Sequence, residues 1–431
     1  MVKVTYESNG SRVADGIRIT EVSGGGTIFK VMTGKTMDDM STLKFVFDDE
    51  EVNPAPGPVP VPPPAPETGP VQAPPILGQN VVTTGPDLIA AIKAKAASGG
   101  EVVAQGDMGG VDISVAAMVP ITVRCAGAKF DHLHLKGSRK ITFFDGDVCP
   151  KVTTPDVPLL LADTACEGIT FDGFEVRSHP DAHNYRQWTQ QEWLARKAWG
   201  AKIAGRHCML MNSRLLATHL GANLEGELSA LINNQILGNS YDCIRFIGTT
   251  KTSFGMAVSD NFIADTYLYD PAAHTDFIQL WTVKNAAITA EMHNGLIAGN
   301  VMTIRATYQD GRDSQTSNMP VSNTQGIGVF DGIYQGLTVA GNILNTTHYI
   351  GLKAMPPGNA SFSNSRVTDN LFFSPNRAGD RAQIMMGGPG LQHSGNRARI
   401  VNIDGVEDKT HGLTEAEIAA LQPKFIVPSW R

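Results

Sequence analysis

The 431 residues carry 35 basic and 42 acidic side chains, a net charge of −7, with no dense run of Lys or Arg, so nucleic acid and anionic membrane surfaces are poor partners. No stretch approaches the roughly 18 consecutive apolar residues of a spanning helix, and MVKVTYESNG lacks an apolar leader core, so neither membrane insertion nor a secretory signal is expected. Cys125, Cys149, Cys166, Cys208 and Cys243 are odd in number and lack paired metal spacing, which points to small core residues rather than a disulfide frame.

Residues 1–52 mix alternating segments (VKVTY, GIRIT, LKFVF) with NG and SGGG turns and end in DDEE, the pattern of a small β-rich domain. Residues 53–79 form a linker: between Pro54 and Pro75, 11 of 22 residues are proline. Such a segment can neither continue a helix nor donate along a ladder, so it predicts an extended spacer of ~3.1 Å per residue. A third segment, 80–405, opens with the capping-box pattern Thr84-Gly85-Pro86-Asp87, followed by LIAAIKAKAASGG with Gly99 as the stop. A helix there would seal the open apolar end of a repeat array. Residues 180–200 hold three of the five tryptophans. Thr189 and Glu192 make a capping box with Trp188 and Trp193 at the staple positions, which explains two of them structurally and leaves Trp199 and Tyr185 as candidates for sugar stacking. Residues 406–431 contain a second capping box, Thr414 to Glu417, and read as a C-terminal capping segment.

Between Ala201 and Gly358 one unit recurs, a short apolar strand, a turn and a second strand carrying asparagine. The Asn strands CMLMNSRLL, LINNQIL, AVSDNFIAD, LIAGNVMTI, TVAGNILN and VTDNLFF place Asn212, Asn234, Asn261, Asn300, Asn342 and Asn370 at comparable points, spaced 22, 27, 39, 42 and 28 residues apart. A floor near 22 with sporadic excess is the signature of a solenoid coil with loops inserted at one corner. Each coil buries its apolar face only by stacking, at roughly 4.8 Å per coil, so the asparagines can form an amide ladder.

Aligning the other strands (HLGANLEG, YDCIRFIG, TDFIQLWT, TQGIGVFDG, YIGLKAMP) with Ile244, Phe246, Ile278, Leu280, Ile327 and Val329 inward leaves Asn223, Arg245, Gln279, Gly328 and Lys353 outward in one column. Four positions earlier the column reads His219, Tyr241, Thr275, Thr324, Tyr349. The insertions 180–200, 265–275, 305–325 and 374–381 all precede these strands and would wall the column into a groove. A linear groove of polar and aromatic groups suits a carbohydrate polymer, with Trp281 and Phe277 as flat surfaces for sugar rings. Asp276 stacks over Asp242, beside Arg245 and close to His274. Two such carboxylates suit a calcium ion or the acid and base of glycoside cleavage, and an outward Arg or Lys could take a proton alpha to a uronate carboxylate. An Asp that caps its own turn is the competing reading. Asp310-Gly311-Arg312-Asp313 is far short of a calcium loop, so no metal site is assigned and no cofactor is expected.

The helix DLIAAIKAKAASGGEVV, the Asn-bearing coils and HTDFIQLW give residues 80–400 a resemblance to the right-handed parallel β-helix proteins of the pectate-lyase-like superfamily, especially phage virion spikes. The fold this implies is all-β, a single-stranded right-handed parallel β-helix with an N-terminal cap helix behind a small domain and Pro-rich linker. The function it implies is a virion spike that binds bacterial surface polysaccharide, with cleavage left open, joined to other virion proteins through residues 1–52 and commonly trimeric. No dedicated C-terminal trimerisation region is evident, a departure from many such spikes. The alternatives are a free, secreted polysaccharide lyase or glycoside hydrolase and a non-catalytic adhesion protein.

Overall fold

Coiling begins at a corner where an apolar strand meets one left-handed residue and one buried amide. The computed structural model describes residues 81–267, 275–285, 288–311, 323–354, 361–374 and 381–430, together with four short strands before residue 31. His274, the linker 53–79, most of residues 1–52 and parts of the later insertions therefore lie outside the described residues. Two compact units divide at Gln79 and Asn80. In the first, Glu7–Ser8 pairs with Ser11–Arg12 and Arg18–Val22 with Gly26–Lys30, both antiparallel.

The second unit is a parallel β-helix. Strands such as Met209–Met211, Ala230–Ile232, Ala257–Ser259, Leu296–Ala298, Thr338–Ala340 and Arg366–Thr368 stack in register in a 12-stranded sheet A. Each leads into sheet B (Arg214–Thr218, Gln235–Asn239, Phe262–Thr266, Val301–Thr303, Ile343–Asn345, Leu371–Phe373). Sheet C follows (Trp199–Ile203, Ala222–Leu224, Ile244–Gly248, Asp276–Thr282, Gln325–Asp331, Ile350–Ala354, Gln383–Met386). In the first coils, sheets B and C both grow from Ala128–Leu135. Alternating residues fill one continuous core, from Leu88 and Ile92 of the cap helix Gly85–Lys95 to Val401. All five cysteines are free and four are buried. Burial pushes the Cys166 and Cys208 thiols up to about 12, which keeps them unreactive.

The amide ladder stands at the corner between sheets A and B, shifted by one position from the sequence alignment in one coil. Asn234, Asn261, Asn300, Asn342, Asn370 and Asn396 stack, each Nδ2 donating to the next Oδ1 at 2.9–3.0 Å. Each of these Oδ1 atoms beyond Asn234 also accepts the backbone N–H of the asparagine before it. Asn212 is not a rung. It occupies the preceding left-handed position (φ 49°), shared with Asn233, Asp260, Gly299, Gly341, Asp369 and Gly395, while Ser213 takes the rung site and donates its N–H to Asn234. Asn396, outside the sequence alignment, ends the series.

The outer face of sheet B is covered. The box Thr189–Glu192 forms as expected, and Trp188 and Trp193, both buried, meet edge to face at 4.9 Å. They lie on Leu216, Ala217, Leu237, Phe262 and Ala264, so this insertion packs on sheet B and is not a wall beside sheet C. Tyr185 is buried there too, its hydroxyl bonded to Asp265 and 2.5 Å from that of Tyr308, which removes it as a sugar-stacking candidate. Residues 406–430 continue from the last coil. Val406–Asp408 folds back antiparallel on Ile400–Ile403, the Glu415–Leu421 helix keeps its capping box, and the chain then runs along sheet B. Leu421 and Phe425 pack on Phe373, Val427 donates to the Thr307 carbonyl, Gln235 donates to the Pro428 carbonyl, and the Arg214 guanidinium lies 5.5 Å from the Trp430 ring.

Candidate functional site on the face of sheet C

Strand register puts Asn223, Arg245, Gln279, Gly328 and Lys353 in one column across sheet C. Upstream the same column contains Asp112, His134, Leu161 and Lys202. Lys202 was legible in the sequence, since WGAKIAG repeats the pattern of HLGANLEG. Insertions emerge between sheets B and C, at one edge of this face.

At the centre of the column Arg245 is held from three sides. Its Nε donates to Asp242 Oδ2 at 2.9 Å, and its guanidinium carbon lies 4.7 Å from the Tyr241 ring and 5.6 Å from the Trp281 ring. The Asp242 carboxylate is buried, and its other oxygen accepts the Asp276 N–H at 3.0 Å. A buried, doubly bonded carboxylate thus fixes a cation between two aromatic faces, with 21% of the arginine side chain exposed. His219 stacks on Tyr241 at 5.2 Å and bonds Ser240, and burial pulls its pKa down to about 4, leaving it neutral at physiological pH.

Asp276 itself is fully buried, and neither carboxyl oxygen has a hydrogen-bond partner among the described residues. Burial, then the neighbouring Asp242, push its pKa well above the usual carboxylate range, against the pull of Arg245. Within the pair, Asp276 is the carboxyl whose protonated form the surroundings favour, while Asp242 is the one bonded to the arginine. One arginine-paired carboxylate and one buried carboxyl group fall short of the six to eight oxygens calcium takes, so the pair by itself does not fit that ion.

The remaining candidates separate. Phe277 is not a surface platform, because it is wholly buried in the core. It stands in a corner column with Gly200, Gly221, Cys243, Gly326 and Gly351, where the chain bends so sharply that two consecutive residues, such as Phe277 and Ile278, face inward. At Gly221 and Gly326 a Cβ would sit 2.3 and 1.8 Å from the next coil's carbonyl oxygen. Asn223 is largely buried and donates to Glu225, which pairs with Lys202. Gln279, Trp281 and Lys353 are partly exposed, and Tyr349 is exposed and stacked on His348. Thr275 and Thr324 bond each other at 2.9 Å, so that part of the second column is structural.

Neither the known family models nor the curated proteins include a match to this chain. Solved structures similar in fold include the Dettilon tailspike protein (14% identity, TM-score 0.42, 74% of this chain and 64% of that one) and the alginate lyase of Paenibacillus sp. str. FPU-7 (13%, 0.42, 74% and 98%). The family 28 exopolygalacturonase of Yersinia enterocolitica is a third (11%, 0.40, 78% and 79%). The match spans under two thirds of the tailspike's length, and likenesses this distant carry nothing about the site. The strand register carries the fold on its own: residues 81–403 wind as a single-stranded parallel β-helix.

Proposed function

We propose that this protein is a phage or phage-like virion spike that binds bacterial surface polysaccharide along the outer face of sheet C. The carrying observation is the Arg245 cluster: a cation clamped by Asp242 between Tyr241 and Trp281, with Gln279 beside it, in register with Lys202 and Lys353. Aromatic faces take sugar rings, and a pre-oriented guanidinium takes a carboxylate or a row of hydroxyls, so an acidic glycan is the best match. The 180–197 insertion and the C-terminal segment cover sheet B and so exclude it from this role, while the cation and its aromatic faces stand on sheet C. Residues 1–52 serve as the attachment module and the proline-rich segment as the spacer, with the spike assembling as a homo-oligomer.

A second reading adds cleavage, and one observation favours it. Asp276 and Asp242 are adjacent carboxyl groups in different surroundings, one buried with its pKa raised and the other bonded to Arg245, the arrangement that supplies a general acid beside a base. Incubating the full chain with capsule and lipopolysaccharide preparations, following retention and oligosaccharide release together, tests both. Retention without release supports the spike as an adhesin; release that Asp276→Asn abolishes supports the depolymerase; no retention on any preparation contradicts both. Deleting residues 1–52 should abolish incorporation into particles while leaving glycan binding intact.

A further inference from the structure

We propose that Asp112, His132 and His134 form a site for a divalent transition-metal ion that clips the first two coils together and leaves a coordination position open on the face of sheet C. The three come from adjacent strands, Gly106–Ile113 and Ala128–Leu135, where Gly110 lies opposite His132 and Asp112 opposite His134. One ligand atom of each lies within 4.8 Å of the others. Asp112 Oδ1 is 3.6 Å from His134 Nδ1, and Oδ2 is 3.9 Å from His132 Nε2. Tetrahedral ligands bonded at about 2.0–2.1 Å stand about 3.4 Å apart, so closure from separations of up to 4.8 Å needs side-chain movements of up to about an ångström.

Two features show that the imidazoles are set for this. His134 Nε2 lies 2.7 Å from the Pro158 carbonyl oxygen, which can only accept, so that nitrogen carries the proton and Nδ1 presents its lone pair towards Asp112. A carbonyl behind the far ring nitrogen is the usual way proteins fix the tautomer of a metal-bound histidine. Opposite His132 the chain has glycine, and a Cβ on Gly110 would lie 2.4 Å from the ring. The glycine makes the space in which the two imidazoles lie, 4.3 Å apart.

Two imidazoles and one carboxylate suit zinc, cobalt, nickel or copper far better than calcium or magnesium. In the absence of metal Lys136 Nζ occupies Asp112 Oδ1 at 2.9 Å, and both side chains are more than half exposed, so an incoming ion displaces the lysine into water. The site is five register steps from Arg245 along the same column and does not depend on the glycan reading.

Titrating the full chain with Co²⁺, followed by visible absorption and with Zn²⁺ in competition, tests the proposal. Residues 1–79 contain no histidine or cysteine, so the head offers no imidazole or thiolate site. The expected result is one equivalent bound in the micromolar range or tighter, at least 10-fold weaker in His132→Ala, lost in the double variant H132A/H134A, and retained or tightened in Lys136→Ala. Zn²⁺ should also raise the thermal midpoint of the wild type but not of H132A. No saturable one-equivalent binding below 100 μM (about the limit of useful affinity, near −5.5 kcal/mol), or binding unchanged in H132A, would overturn it.

Discussion

Replacing Asn300 by alanine isolates one rung of the amide ladder. Asn300 is fully buried; its Oδ1 accepts the Asn261 backbone N–H at 3.0 Å and the Asn261 Nδ2 at 2.9 Å, and its Nδ2 donates to the Val258 carbonyl and to Asn342. Alanine strands at least two buried donors on Asn261, each worth about 1–3 kcal/mol, so the change should cost about 2–6 kcal/mol. At about 4 kcal/mol that is roughly a thousandfold in the folding equilibrium. A water admitted to the vacated amide volume moves the value towards the low end. Asn212→Gly is the matched control: at a partly exposed left-handed position where Gly299, Gly341 and Gly395 already stand, it removes solvent-accessible hydrogen bonds to Asp172 and from Asn233 and should cost about 1 kcal/mol. Urea unfolding followed through the fluorescence of buried Trp188 and Trp193 compares the two with one probe. Equal shifts in midpoint for the two variants would refute the assignment of rung and non-rung.

Three further outcomes follow from the same structure. Asp276 has a folded-state pKa raised above its usual 3.8, so the stability it lends is full below that pH and declines by about 1.4 kcal/mol per unit as pH rises towards the folded value. The stability of Asp276→Asn relative to wild type should therefore increase from pH 4 to pH 7, and a flat difference across that range contradicts the buried, neutral acid. Deleting residues 413–431 removes Leu421, Phe425 and Val427 from sheet B, a loss of about 5–9 kcal/mol at about 1.5–3 kcal/mol per side chain, and uncovers Phe373 and Leu371. A lower thermal midpoint with new hydrophobic-dye binding is expected, and an unchanged midpoint refutes the strap. Trp281→Ala should weaken retention on the bound glycan about 2- to 13-fold, from about 0.5–1.5 kcal/mol of lost ring contact, with the circular dichroism unchanged.

The solenoid was legible because the inward residues of every coil repeat, and the sheet C column fell into register from sequence alone at Asn223, Arg245, Gln279, Gly328 and Lys353. The misplaced rung had a signal as well. Every Asn rung follows Asn, Asp or Gly, as in Asn233-Asn234, Asp260-Asn261 and Gly395-Asn396, because the preceding residue must take a left-handed backbone; in Asn212-Ser213 the first residue alone is Asn. Phe277 was misread because strict alternation was carried through a corner, where the glycines at 200, 221 and 326 mark backbone approach rather than a strand face. The C-terminal strap and the Asp112, His132 and His134 group carry no repeat, and only the fold brings them to their partners.

The most direct test of the central claim is retention of the full chain on a panel of bacterial capsular and lipopolysaccharide glycans, comparing wild type with the double variant Q279A/W281A and with Thr170→Ala on the outer side of sheet A. The account predicts retention on an acidic glycan that the sheet C variant loses and the sheet A variant keeps. Retention untouched by Q279A/W281A, or lost equally in both variants, would contradict it.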